Sequence, residues 1–184
     1  MKKMRCVRNK MFSKILHDST IENHKRVDRH EFVKKIKTNE IAGEIYIKFN
    51  KMCIDRIQRN NNNKYKMINE LYRDVEYVEN ENRMINEDIS VILERCKKYP
   101  LEHAYMFYLG LLYGGDILKR YIPKYKEFLT FENGKDKIKR FKEMLDEVDS
   151  SKWESFTEIV NESYKIIYII FSKFDKYIEN QLMS

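Results

Sequence analysis

Apolar residues recur along this chain at steps of three and four, the period at which side chains return to one face of an α-helix. Phe12, Ile15 and Ser19 open a first helix expected over residues 12–27, and a short helical segment follows over 31–36. Asn39 is placed to cap a second long helix, in which Ile41, Ile45, Phe49, Met52 and Ile57 fall on one side. The polar, asparagine-rich tract 59–64 reads as a loop. Further helices are expected over 65–78 and 86–98, the latter stopping before Pro100, and over 101–121, with Pro123 just beyond. After the turn Glu132-Asn133-Gly134, two more should cover 136–147 and 152–180. In the last, Trp153, Phe156, Val160, Ile167, Phe171, Phe174 and Ile178 make a stripe that must find a core. No stretch alternates with period two long enough to be a strand. The expected fold is all-α, a single domain of seven or eight helices.

One of these helices breaks the usual composition. The chain holds 5 glycines in 184 residues, yet three of them, Gly110, Gly114 and Gly115, lie within HAYMFYLGLLYGGDILK, residues 103–119. A glycine inside a helix costs about 1 kcal/mol relative to alanine, so three together need a reason. Gly110 and Gly114 are four apart and share a face. Baring that face lets something flat lie against the backbone. A kink or a close helix–helix contact is the other reading, and spacing leaves both open.

Charge and cysteine content narrow the classes. The formal net charge is +7 and the isoelectric point about 9.1, which raises the question of nucleic acid. Lysines are interleaved with Glu and Asp along most of the helices, as on solvated faces. The exception is an N-terminal arm, residues 1–10, whose basic run of Lys2, Lys3, Arg5, Arg8 and Lys10 continues to Lys14 and meets no acid before Asp18. This arm, with residues 11–184 as the helical domain, is suited to a weak contact with nucleic acid or a protein, but nothing in it reads bases. It also reads as the remnant of an organelle-targeting leader. Cys6, Cys53 and Cys96 are odd in number and form no CxxC pair, so a disulfide framework and a zinc site are not expected, and a reducing intracellular compartment is, cytoplasm or a plastid-like organelle. No apolar run approaches a membrane span.

The enzymatic motifs of helical proteins are missing. There is no Glu-x-x-His pair for a di-iron bundle, no phosphate-cradling glycine loop, no HExxH and no nucleophile in a recognisable turn. Of His17, His24, His30 and His103, His24 is the best candidate axial ligand, His17 is its rival on the same side, and His30 reads as a loop or cap residue. One candidate axial histidine and one helix bared by glycine suit a flat cofactor clamped between helices, with iron held on one side and no separate metal.

These residues resemble the haem oxygenase family. Residues 11–32, MFSKILHDSTIENHKRVDRHEF, are similar to the family's first helix, with His24 on the proximal histidine position, Thr20 four residues before it, Asp28 on an acidic position and Phe32 on an aromatic one. Residues 103–119 are similar to its distal helix, HAYxRYLGDLSGGQxLxK, matching at His103, Ala104, Tyr105, Tyr108, Leu109, Gly110, Leu112, Gly114, Gly115, Leu118 and Lys119. Phe141-Lys142 resembles a later helix that brings a basic residue toward the haem propionates. The resemblance implies a multi-helical bundle with a glycine-kinked distal helix. Haem would be substrate or ligand: His24 on the iron, Gly110 and Gly114 over the distal face, Tyr105 and Lys142 toward the propionates. A reductase or ferredoxin would supply electrons, and the products would be biliverdin, carbon monoxide and ferrous iron.

The departures bear on that chemistry. Leu111 stands where the family's distal Asp follows the first glycine, Phe107 where it has Arg, and Tyr113 where it has Ser; Ile21 and Asp146 occupy two basic positions. In the family the distal carboxylate holds a water that delivers protons during ring opening, and a leucine holds none. Two functions are therefore set side by side: a divergent haem oxygenase-like enzyme of weak turnover, and an inactive haem-oxygenase-like binding or scaffold protein whose basic N-terminus contacts a partner.

Overall fold

The computed structural model describes residues 11–61 and 83–183, with the side chains of 83–87 left out. The N-terminal arm (1–10) and the helix expected over 65–78 lie outside the described residues. Seven α-helices are described: α1 (Phe12–Asp28), α2 (Glu31–Lys35), α3 (Glu40–Asn60), α4 (Arg83–Lys98), α5 (Pro100–Tyr121), α6 (Gly134–Asp146) and α7 (Trp153–Met183), with 3-10 turns at Pro123–Tyr125 and Ser150–Lys152. No strand occurs among the described residues. The fold is all-α. No helix among the described residues is long and apolar enough to cross a membrane.

Local chemistry sets the boundaries. The Asn39 side chain accepts a hydrogen bond from Ala42 N at 3.0 Å and starts α3. His30 starts α2 in the same way, its Nδ1 accepting from Phe32 N at 3.1 Å, which settles its role as a cap. α3 runs further than expected, into the tract assigned to a loop. Arg59 pairs with Asp55 at 2.8 Å and the Asn60 amide donates to Arg56 O at 2.8 Å, so both are helical. Met11 offers α1 no capping side chain. Asp146, at the end of α6, substitutes for one by accepting from Ser13 N at 2.7 Å. An anion at the positive end of a helix is favourable, so Asp146 is a tie between α6 and α1.

The 31-residue α7 is the spine. It packs against α1, α2, α3, α4 and α5. Its aromatic stripe meets Phe12, stacked on Trp153 with ring centres 5.0 Å apart, then Phe32 and Phe49 against Phe171 and Phe174. Cys53 on α3 and Cys96 on α4 are buried free thiols brought beside each other, so that burial and the neighbouring sulfur both push the Cys53 thiol up. Their separation in sequence had given no hint of this contact.

α4, α5 and α7 are locked by a buried polar network. His103 Nδ1 lies 2.7 Å from Tyr99 O, and Nε2 lies 2.9 Å from Ser163 Oγ. A carbonyl only accepts, so Nδ1 carries the proton and Nε2 accepts from Ser163, whose oxygen in turn accepts from Arg95 Nε at 2.9 Å. Every member is satisfied with the imidazole neutral. Burial holds the His103 pKa down at about 4. An unfolded histidine takes its proton near pH 6.5, so this contribution is complete above pH 6.5 and is lost as the solution is acidified toward pH 4. The loss amounts to about 3 kcal/mol. In urea unfolding, the stability gap between wild type and His103→Gln should therefore narrow between pH 7 and pH 4.5; a constant gap would contradict the network.

Candidate functional site

α1 and α5 both lean on α6 and α7, yet have little direct backbone contact with each other. A hydrogen bond joins them: Thr20 Oγ1 lies 3.1 Å from Tyr105 Oη. Thr20 also donates to Leu16 O at 2.8 Å, so its lone pairs are left to accept from Tyr105. α1 and α5 thus stand as two walls on α7, tied by this bond.

The glycines of α5 divide their roles. A Cβ placed on Gly110 or Gly114 would meet no atom within 4 Å, whereas on Gly115 it would lie 2.6 Å from the backbone oxygen of Leu129. Gly110 and Gly114 thus bare an open strip, and Gly115 permits a close chain crossing. The close-contact reading holds at Gly115, against the backbone of Leu129 rather than a second helix, and α5 continues unbroken from Pro100 to Tyr121.

On the opposite wall His24 is partly exposed, its side chain at 36%, with Nδ1 3.5 Å from Asp28 Oδ2 one turn later. Partial burial raises the Asp28 carboxyl above its ordinary value and the imidazole pulls it back. A carboxylate on the Nδ1 side is the kind of partner that orients a metal-binding imidazole, although at 3.5 Å the two do not form a hydrogen bond. The rival His17 is 62% exposed and lies against Asp18. Lys142 on α6 places its ammonium 5.6 Å from the centre of the Tyr113 ring, beside Gly114.

Two further tyrosines join the group, and neither was singled out from sequence. Tyr164 of α7 stands with its ring centre 5.5 Å from that of His24, and burial, then Tyr105 and Asp28, push its phenol well up. Burial and then the Asp28 charge raise Tyr46 to about 12. Both sit on helices whose apolar period makes a tyrosine look like ordinary core. The structure thus brings His24, Asp28 and Tyr164 together, ties Tyr105 to α1, and sets Lys142 against Tyr113, the neighbour of Gly114.

Leu111 is not part of the open strip. It is 1% exposed and belongs to the apolar core. One turn before it, Phe107 packs edge-on against Phe49 of α3 at 5.8 Å. Asp146 is engaged with the start of α1, as above. A depression of about 460 Å³ lies elsewhere, lined by Glu22, Lys25, Arg26, Arg29, His30, Glu31 and Tyr168. Its cations crowd the carbonyl end of α1, where they are favoured in any helix. Lys25 is paired with Glu22 and Arg26 lies over Tyr168.

The architecture matches solved haem oxygenases. Haem oxygenase from Leptospira interrogans superposes with a TM-score of 0.67 at 17% identity, covering 89% of this chain and all of that one. Haem oxygenase-1 from the cyanobacterium Synechocystis, in complex with haem, gives 0.61 at 13% identity, covering 94% of this chain and 96% of that one. At such identities the likeness establishes the fold. No protein-family model matches the sequence, and no curated protein does. The class the structure defines is the haem oxygenase fold.

Alanine at each glycine separates their roles. Gly110→Ala and Gly114→Ala should raise the stability of the ligand-free protein by about 0.5–1 kcal/mol each. Gly115→Ala should lower it by about 2 kcal/mol through the clash at Leu129. Thermal melts of the three variants check the pattern.

Proposed function

We propose that this protein binds haem in the cleft between α1 and α5, with His24 as the iron ligand, and that its capacity to open the porphyrin ring is weak or lost. The observation that carries the reading is the bared strip of Gly110 and Gly114 on α5, a helix tied through Tyr105 and Thr20 to the α1 that bears His24. An open, side-chain-free strip fits a flat macrocycle, and a carboxylate-oriented imidazole fits iron. The solved relative with haem adds support.

In this reading each residue has a plain task. His24 binds iron through Nε2 while Asp28 holds the proton on Nδ1. Gly110 and Gly114 let the α5 backbone approach the ring face. The Lys142 ammonium serves the carboxylate edge, and Tyr105 joins it by turning its one hydroxyl proton from Thr20 to a carboxylate oxygen. Bound haem would bring the iron chemistry that activates dioxygen, drawing electrons from a reductase or ferredoxin. The proton-delivering carboxylate is what this chain lacks. Leu111 stands at that position and is enclosed by core, so no acid at 111 holds a water over the ring. The basic segment 1–14 remains a second contact surface, for a protein or nucleic acid, in the reading where catalysis is lost.

A haem titration followed by reductant and oxygen tests the proposal. The wild type should form a Soret band of one-to-one stoichiometry that persists under turnover. Loss of the band with growth of a biliverdin spectrum would show that ring opening has been kept. Absence of any saturable band would remove haem altogether.

Two variants refine this test. His24→Ala should abolish the low-spin spectrum, and Asp28→Asn should weaken haem binding by roughly 10–100-fold. Leu111→Asp should not restore turnover. It forces a carboxylate into apolar surroundings and should cost about 3 kcal/mol, read as a fall in melting temperature.

A further inference from the structure

Tyr164 stands out among the buried polar side chains. The residue is 7% exposed, yet its hydroxyl makes no hydrogen bond with any described residue, unlike Tyr105, which reaches Thr20. Its oxygen is not fully enclosed. The small exposed part of Tyr164 therefore includes the hydroxyl. Its ring lies 5.5 Å from His24, and Tyr105 and Asp28 are its charged or polar neighbours. These flank it from α5 and α1, the two helices between which the proposed haem would lie.

A phenylalanine would fill this site equally well. A nearly enclosed hydroxyl without a protein partner loses hydration and gains nothing in the ligand-free fold. Such a group has its use when something else supplies the acceptor. Haem offers few choices. Its pyrrole nitrogens are on the iron, and on the His24 side the iron is taken by the imidazole, which leaves the propionate carboxylates as the acceptors on the molecule itself.

Resting on the haem reading of the cleft, we propose that Tyr164 is a ligand-positioning residue whose hydroxyl donates a hydrogen bond from α7 to a haem propionate. It would act beside Tyr105 and Lys142, from a third helix, and fix the rotation of the macrocycle about the His24–iron axis. A donor that stays neutral suits the task, since a phenolate beside Asp28 would repel the carboxylate it is meant to hold.

The experiment compares wild type with Tyr164→Phe, which keeps the ring and removes the oxygen, in three measurements. In the ligand-free protein the melting temperature should be unchanged or higher. Haem should bind roughly 3- to 10-fold more weakly, by Soret titration or by the rate of transfer to a scavenger protein. With haem dimethyl ester, whose carbonyls still accept but carry no charge, the difference between the two proteins should shrink. A lower melting temperature in the variant would assign the hydroxyl a structural role and overturn the proposal. So would equal haem affinities, or a difference that esterification leaves undiminished. A wild type that binds no haem would fail one step earlier, in the titration, and would take this inference down with the reading it rests on.

Discussion

The structure depends on two helices resting on a common support without closing on each other. α1 and α5 are both seated on α7 and touched by α6. Large apolar side chains would draw neighbouring helices together by burying area between them. Here α5 carries two glycines that meet only open space, and the tie between the helices is a threonine–tyrosine hydrogen bond. Such a bond is worth about 1 kcal/mol net, too little to pull the walls shut. The gap persists because the bulk of each helix is already satisfied elsewhere: Phe12 on Trp153 and Phe156, Phe107 on Phe49.

Rigidity comes from beneath the cleft rather than across it. The Arg95–Ser163–His103 network joins α4, α7 and α5 in a region with almost no solvent, and each donor has an acceptor. Buried polar groups that are fully paired specify one arrangement more sharply than apolar contacts do. The network holds the first turn of α5, five residues or fewer from Tyr105, and Ser163 is the neighbour of Tyr164 in sequence. Two side chains of the cleft are thus positioned from outside it. His103, which in sequence looked like the opening letter of a ligand-binding motif, serves the site through this scaffold.

Helical period made the elements legible because each described helix buries one face, and α1, α3, α5 and α7 were each expected within a few residues of their ends. The end of α3 was misjudged because asparagine signals a loop by composition, whereas Arg59 and Asn60 find partners one turn back. Gly110 and Gly114 were visible as anomalies in their helix and His24 as a polar residue with no apolar need for it, whereas Asp28 was marked only by the family resemblance. Tyr46 and Tyr164 were hidden for the opposite reason: a tyrosine in an apolar stripe has the pattern of core, and only coordinates show that one hydroxyl lacks a partner. The thiol contact of Cys53 and Cys96 was hidden likewise, being a product of how α3 meets α4.

The same distinction bears on what has become of position 111. A leucine replacing a catalytic acid in an otherwise unaltered pocket would leave an apolar side chain on the open strip. Leu111 instead lies within the core, and Phe107 one turn earlier has packed onto α3. Both departures from the distal motif therefore have a positive role in the fold, contributing the transfer free energy of two large side chains, each about 1.5–3 kcal/mol. Gly110 and Gly114, between and beyond them, have no such compensation, for alanine would suit the helix better and nothing occupies the space. Packing accounts for Leu111 and Phe107 but not for the glycines, and that asymmetry is the physical support for the proposal that a flat ligand lies along α5.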